Sequence, residues 1–310
     1  MYLLTSIEMI IMQIISAGGG FIGFNPNHYI HINEYYQYCV RLITKWLHDN
    51  PNEKLNITLG NYQCDFNNSN KEIKLDIQYE HTLVKEGGRS VDNIVFGRVD
   101  HEDGKYLIRI ANYDYLNSLD GIIEYSIPNI LNVSTGDFST YLGKVGYIAP
   151  TIYEKLDFDK SQKTNTITMF SENGSDRRSE FVSASKARGL NQSNITGVFS
   201  KESLRQVYQK TKIIVNLHQT DHHHTFEELR VLPALCNGVI IVSEDVPLKE
   251  QIPYGDFIVW SSYKDLIETT LEVQNNYEHF YREIFNDRLS EVLLTLKESN
   301  QESIGNVIRR

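Results

Sequence analysis

The chain has 310 residues, an ordinary globular composition and a net charge of −10, with no block of Lys or Arg. That length allows two domains of about 150 residues, each with its own core. The negative charge argues against non-specific nucleic-acid binding and against adhesion to anionic lipid.

Cys39, Cys64 and Cys236 stand apart without CxxC spacing. They form neither a disulfide framework nor a zinc site, so a reducing, cytoplasmic setting is expected. The opening MYLLTSIEMIIMQIISAG lacks a basic leader and is interrupted by Glu8 and Gln13. It is too short and polar to span a bilayer and predicts a first core strand at about Met9–Ser16. Gly18, Gly19 and Gly20 follow, within the spacing Gly18-x-Gly20-x-x-Gly23. Glycines after a strand let the backbone approach a phosphate or sugar, so these three are expected to line an interdomain cleft. GGGFIG resembles the opening of extended short-chain dehydrogenases and sugar epimerases, which implies NAD. That family also uses a Tyr four residues before a Lys, and Asn25-Pro26-Asn27 interrupts the helix its fingerprint should open.

Tyr35–His48 carries apolar residues at helical spacing. Strands are expected at LNITLG, EIKLDIQYEH, DNIVFGRV and KYLIRIANYD, and a strand then a helix start within SLDGIIEYSIPNILNV. Strands alternating with helical segments predict an α/β domain over residues 1–150. His81 follows the strand KLDIQYE and Asp114 follows KYLIRIANY. Either is a candidate general base at a strand's carboxyl end, and His81 alternatively hydrogen-bonds a sugar hydroxyl. The plainer alternatives are a His satisfied by backbone and an Asp that caps a turn.

LGKVGYIAPTIY reads as a hinge, and residues 151–310 as a second α/β domain. Its first strand, TITMFS, runs into a turn at Asn173-Gly174 and a helix with Arg177 and Arg178 in its first turn. Cations are misplaced at a helix N-terminus unless an anion neutralises them, which points to a diphosphate held by arginine forks, or else to a solvated helix start paired with Glu180. NITGVFS is expected to be a short strand and ESLRQVYQKT a helix. The stretch KIIVNLHQTDHHHTFEELRVLPALCNGVIIVSE then reads as strand, polar loop, helix and strand, with Thr225 as N-cap and Gly238 past the last turn. Its loop holds His218, Asp221, His222, His223, His224 and Thr225, more polar chemistry than a connection requires; a zinc site there is the minor alternative. Tyr263 to about Asn300 is helical in pattern, broken near Asn275, with a polar tail expected to fray.

The order strand, Arg-Arg loop, KIIVNLH, TFEELR, CNGVIIVSE resembles the donor-binding domain of GT-B glycosyltransferases of the group 1 type, in a small variant found in large DNA viruses and bacteria. The resemblance implies two Rossmann-like domains facing a cleft, the first for an acceptor glycan or glycoconjugate and the second for a UDP- or GDP-linked sugar. In such proteins the last helix often crosses back to the first domain. It also implies that Glu227 or Glu228 grips the ribose, that Arg230 orients that carboxylate or reaches phosphate, and that His224 and Thr225 border the diphosphate. Arg177, with Arg178, Asn173 and Gly174, would neutralise the leaving group without a metal, and Ser243 and Glu244 would close the donor pocket. His81 matches a His of the acceptor domain. Retaining members carry a second Glu eight positions on, where this chain has Leu235 or Cys236, so an inverting displacement with His81 or Asp114 as base is favoured. The alternatives are an NAD-dependent nucleotide-sugar epimerase or dehydratase, and a non-catalytic sugar- or nucleotide-binding protein.

Overall fold

The structure is a computed structural model that describes residues 12–79, 81–87, 97–133, 139–170 and 176–310. Asn173, Gly174, most of DNIVFGRV and the start of the expected first strand lie outside the described residues.

The chain begins with β1 (Gln13–Ala17), β2 (Gly20–Phe24), α1 (Asn33–Asp49), β3 (Leu55–Leu59) and β4 (Lys71–Gln78). Next come β5 (His81–Lys85), β6 (Gly97–His101), β7 (Gly104–Ile110), α2 (Tyr113–Asn117), β8 (Gly121–Glu124), α3 (Ile127–Val133), α4 (Ser139–Leu142) and β9 (Val145–Tyr147). The second half supplies β10 (Asn165–Thr168), α5 (Asp176–Ala187), β11 (Ser193–Asn194), α6 (Lys201–Lys210), β12 (Thr211–Asn216), α7 (Glu228–Leu235), β13 (Ile240–Glu244) and β14 (Val259–Ser261). Three helices close the chain: α8 (Leu266–Asn275), α9 (Tyr277–Ile284) and α10 (Asp287–Ile308).

The strands form two separate, largely parallel sheets, one ordered β1-β2-β3-β4-β8-β9 and the other β11-β10-β12-β13-β14. Only β1 breaks the parallel pairing of the first sheet, and the second is parallel throughout. β3 and β13 are buried along their whole length, as expected of parallel strands covered on both faces. In α1, Tyr36, Cys39, Val40, Ile43 and Leu47 recur on one face and are fully or nearly fully buried. Asn50 caps the end of α1 through Trp46 O, and Pro51 stops it.

Between β4 and β8 the chain makes a small antiparallel sheet, β5-β7-β6. Its apolar side, with Leu83, Tyr106, Ile108 and Ile110, joins Ile122 and Val145 in a second core.

Several expectations change. Of NITGVFS only Asn194 joins a strand, β11, and the segment read as a hinge supplies β9 to the first sheet. β1 is not a core strand: Gln13 to Ser16 are exposed, and β1 forms an antiparallel hairpin with β2 at the sheet edge. Nor does the tail fray. α10 runs to Ile308 and packs on α1, β8 and β9, with Ile304, Val307 and Ile308 buried. Gly305 admits the Trp46 indole there, and Gly121 and Gly146 admit Val307. Asn300, wholly buried at this crossing, exchanges hydrogen bonds with Ala149 N and O (both 2.8 Å) and donates to Tyr38 and Thr151. A polar helix is thereby held across the first sheet.

Candidate functional site

In parallel α/β sheets the strand ends leave a crevice on the carboxyl side, because the chain there turns away into helices. Here both sheets open onto the same one. A cavity of about 1170 Å³ is lined by residues that follow β4 (Tyr79, His81), β10 (Met169, Phe170), β11 (Ile195, Thr196) and β12 (His218, Gln219). The start of α1 adds Glu34 and Tyr35, and the outer face of β7 adds Arg109.

The glycine turn is elsewhere. Gly18 (φ +57°) and Gly19 turn the chain between β1 and β2, where a Cβ would run into the carbonyls of Leu47 and Pro51. Leu47 is in the last turn of α1 and Pro51 lies just beyond it, whereas the cavity is lined by the first turn of that helix. Gly20 begins β2, at the opposite end of the sheet from the crevice. These three glycines therefore do not line this cavity; they let a hairpin sit under a helix. The fingerprint opens no helix: β2 begins at Gly20 itself and α1 only at Asn33. Tyr208 and Lys212 have the Tyr-x-x-x-Lys spacing, but Tyr208 lies near the end of α6 and Lys212 in β12, its ammonium 4.7 Å from the Tyr277 ring centre.

Of the two base candidates, only His81 meets the cavity. It is 4% exposed and its Nε2 has no hydrogen-bond partner among the described residues. Burial draws its pKa down to about 3, so the ring is neutral. Asp114 is exposed in the first turn of α2, where an acidic residue suits the helix dipole, and it does not line the cavity.

The neighbouring arginines of α5 behave differently. Arg177 finds its anion inside the chain. It grips both carboxylate oxygens of Glu244, bonds Asp221 and reaches His218 O at 3.3 Å. Its guanidinium stacks 3.6 Å from the Tyr263 ring centre. Glu180 is not the partner. Arg178 is 7% exposed, lies 4.9 Å from the centre of Phe170, and its Nε has no hydrogen-bond partner among the described residues. Burial, aided by the charges of Arg230 and Arg177, lowers its pKa to about 10, which still leaves it cationic at neutral pH.

The histidine loop docks on the small sheet. Lys85 N donates to His222 O (2.8 Å), His224 N to Leu83 O (2.9 Å), and Leu83 N to Thr225 Oγ1 (2.8 Å). This extends β5 by a short antiparallel strap and spans the two halves of the chain. Thr225 is thus occupied and does not cap α7, which begins at Glu228. His223 and Thr225 line the cavity, whereas His224 packs against Tyr106 and His218 without lining it. Among the described residues no group of three or more His, Cys, Asp or Glu is placed to hold a metal ion.

The structure separates Glu227 from Glu228. Glu227 lines the cavity beside Arg230, 3.8 Å away, and Arg230 also donates to Asn216 Oδ1. Glu228 is wholly buried on the other side, accepting from Tyr254 Oη at 2.7 Å, and burial raises its pKa to about 7. It cannot reach a ribose in the cavity. Ser243 is buried and bonded to Asn216 and to Glu244 O, and Glu244 is the counter-ion of Arg177; neither lines the cavity.

Two features escaped the sequence. Glu124, at the carboxyl end of β8, is buried on the N–H groups of Tyr125 and Ser126 and on Asn129, and burial pushes its pKa up to about 8. Arg109 had a legible signal: Tyr106, Ile108 and Ile110 alternate inward, so Arg109 falls on the opposite face.

No family model matches the chain. A protein of Acanthamoeba polyphaga mimivirus, Uncharacterized protein R358, is 31% identical over 102 residues, covering 31% of this chain and 36% of that protein. The similarity thus spans about a third of that relative's length. Among solved structures, accessory secretory protein 1, 2 and 3 of Streptococcus pneumoniae aligns with 87% of this chain and 58% of its own, at 10% identity and a TM-score of 0.37. The GtfA/B complex bound to UDP and GlcNAc aligns with 87% and 57%, at 12% identity and a TM-score of 0.29. At those TM-scores neither likeness carries a functional assignment.

Proposed function

We propose that the chain is a metal-independent glycosyltransferase that moves a sugar from a UDP- or GDP-linked donor to a hydroxyl of a glycan or glycoconjugate. The observation that carries this reading is one cavity at the carboxyl ends of both sheets, with Arg230 and Glu227 in its second-sheet wall. Arg178 lies behind that wall with its Nε unpartnered. Glu227 is the carboxylate whose charge opposes that burial, and a buried cation with no closer counter-ion gains from a ligand that supplies a further anion. A diphosphate does so, and its charge grows as it leaves, so the arginines act most strongly in the transition state. Glu227 is an acceptor suited to paired ribose hydroxyls.

On the opposite wall the neutral His81 ring has a buried Nε2 that has no partner among the described residues and can accept from a hydroxyl. A bound diphosphate raises its pKa, since a nearby negative charge favours the imidazolium, and so brings the ring closer to the range a general base needs. That supports an inverting displacement, with residues 1–150 holding the acceptor and residues 151–310 the donor.

Calorimetry with UDP, GDP and NAD tests the reading. UDP or GDP is expected to bind and NAD not; Arg230→Ala and Glu227→Ala each lower nucleotide affinity about tenfold, the loss of one charge-assisted hydrogen bond. Asp114→Ala changes nothing. Absence of nucleotide binding, or unchanged affinity in Arg230→Ala, rejects it.

A further inference from the structure

His218 lies two residues beyond β12, is 5% exposed and forms part of the cavity wall. Both ring nitrogens are buried, and among the described residues neither has a hydrogen-bond partner. Burial keeps the imidazole neutral, drawing its pKa down to about 3 against the opposing pull of Glu244. A neutral imidazole carries a proton on one nitrogen and a lone pair on the other, and the surroundings choose which.

Here they choose. Nδ1 faces Glu244 Oε1 at 3.5 Å. Glu244 stays a carboxylate because Arg177 binds both its oxygens and the His218 N–H donates to Oε2 at 3.0 Å. An ionised carboxylate only accepts, so the ring proton belongs on Nδ1 and the lone pair on Nε2. A phosphate oxygen is itself an acceptor and finds no donor at such a nitrogen. A hydroxyl does find its acceptor there. His81 brings a second unpartnered Nε2 to the same cavity from the first half of the chain.

We propose that His218 Nε2 accepts a hydrogen bond from a hydroxyl of the donor's sugar, so that this residue reads the sugar and not the nucleotide. Glu244 and Arg177 are then positioning residues: they touch no substrate and set the tautomer of the ring. The inference rests on the glycosyltransferase reading above and assigns to His218 the part of the donor that the arginines leave unrecognised.

The test compares UDP and GDP with UDP-glucose, UDP-N-acetylglucosamine and GDP-mannose by calorimetry. His218→Phe keeps a ring without the acceptor and is expected to cost the recognised nucleotide sugar about tenfold in affinity, with UDP or GDP unchanged within about twofold. His218→Gln, whose amide oxygen extends toward the place of Nε2, restores most of the loss. Nitrogen NMR of the unliganded protein is expected to show the proton of His218 on Nδ1, and Glu244→Gln to disturb that preference. Equal losses for nucleotide and nucleotide sugar, no loss in His218→Phe, or a ring protonated on Nε2 overturns the assignment while the wild-type chain still binds nucleotide. A wild-type chain that binds none of these ligands overturns the glycosyltransferase reading and this assignment together.

Discussion

The glycine turn between β1 and β2 and the histidine loop after β12 are both held against distant parts of the chain by close backbone contacts. They differ in what those contacts leave open. At the turn, Gly18 and Gly19 bring the hairpin onto the carbonyls of Leu47 and Pro51, and nothing projects into the cavity. In the loop, the backbone of His222 and His224 pairs with β5, so the side chains of His218, His223 and Thr225 are set along the cavity wall. Backbone docking of a loop is a framework in one case and a means of presenting side chains in the other. The difference lies in which end of the sheet each occupies.

The largest expected effect breaks the loop's anchor. Arg177→Ala leaves Glu244 buried without its counter-ion and is expected to cost about 4 kcal/mol in urea unfolding. Arg178→Ala, which removes a cation whose Nε is unpartnered, should cost far less stability and instead weaken nucleotide binding; similar stability losses for the two would erase the distinction.

Gly18→Val strikes the other region. A branched side chain at φ +57° against Leu47 O is expected to cost about 3 kcal/mol, combining backbone strain with overpacking. Nucleotide affinity of the folded fraction should not change. A loss of affinity there would return the turn to the binding site.

Thr225→Val removes the acceptor of Leu83 N–H and should cost about 1.5 kcal/mol, with faster amide exchange at Leu83. Unchanged exchange would mean that the strap on β5 contributes no protection.

A last effect concerns pH beneath the loop. Burial raises the Glu228 pKa from 4.5 to about 7, so between those values the unfolded chain has lost a proton that the folded chain keeps. Stability therefore falls as pH rises through that window, and Glu124, raised to about 8, extends the fall. Glu228→Gln should flatten the decline in Tm between about pH 4.5 and pH 7. A slope equal to wild type would show that Glu228 keeps its charge when folded.

Much of the second half is legible locally. Thr211–Asn216 and Ile240–Glu244 are apolar runs flanking a polar loop and a short helix, and they form adjacent parallel strands. α1 follows from the spacing of its apolar residues. The small antiparallel sheet is harder to read, because strand propensity does not state whether β5 and β7 join the main sheet or leave it.

Sequence alone determined most of the segments that become strand or helix, though only Asn194 of NITGVFS joins a strand, and that polar chemistry gathers after β12, because hydrophobic period and turn residues act over a few positions. Tertiary structure alone decided that Glu227 faces the cavity while Glu228 faces Tyr254, that Arg177 is neutralised by Glu244 while the Nε of Arg178 has no partner, and that the glycine turn lies under α1. Neighbouring residues of the same type share every local property. Only the packing of remote segments sets their surroundings apart.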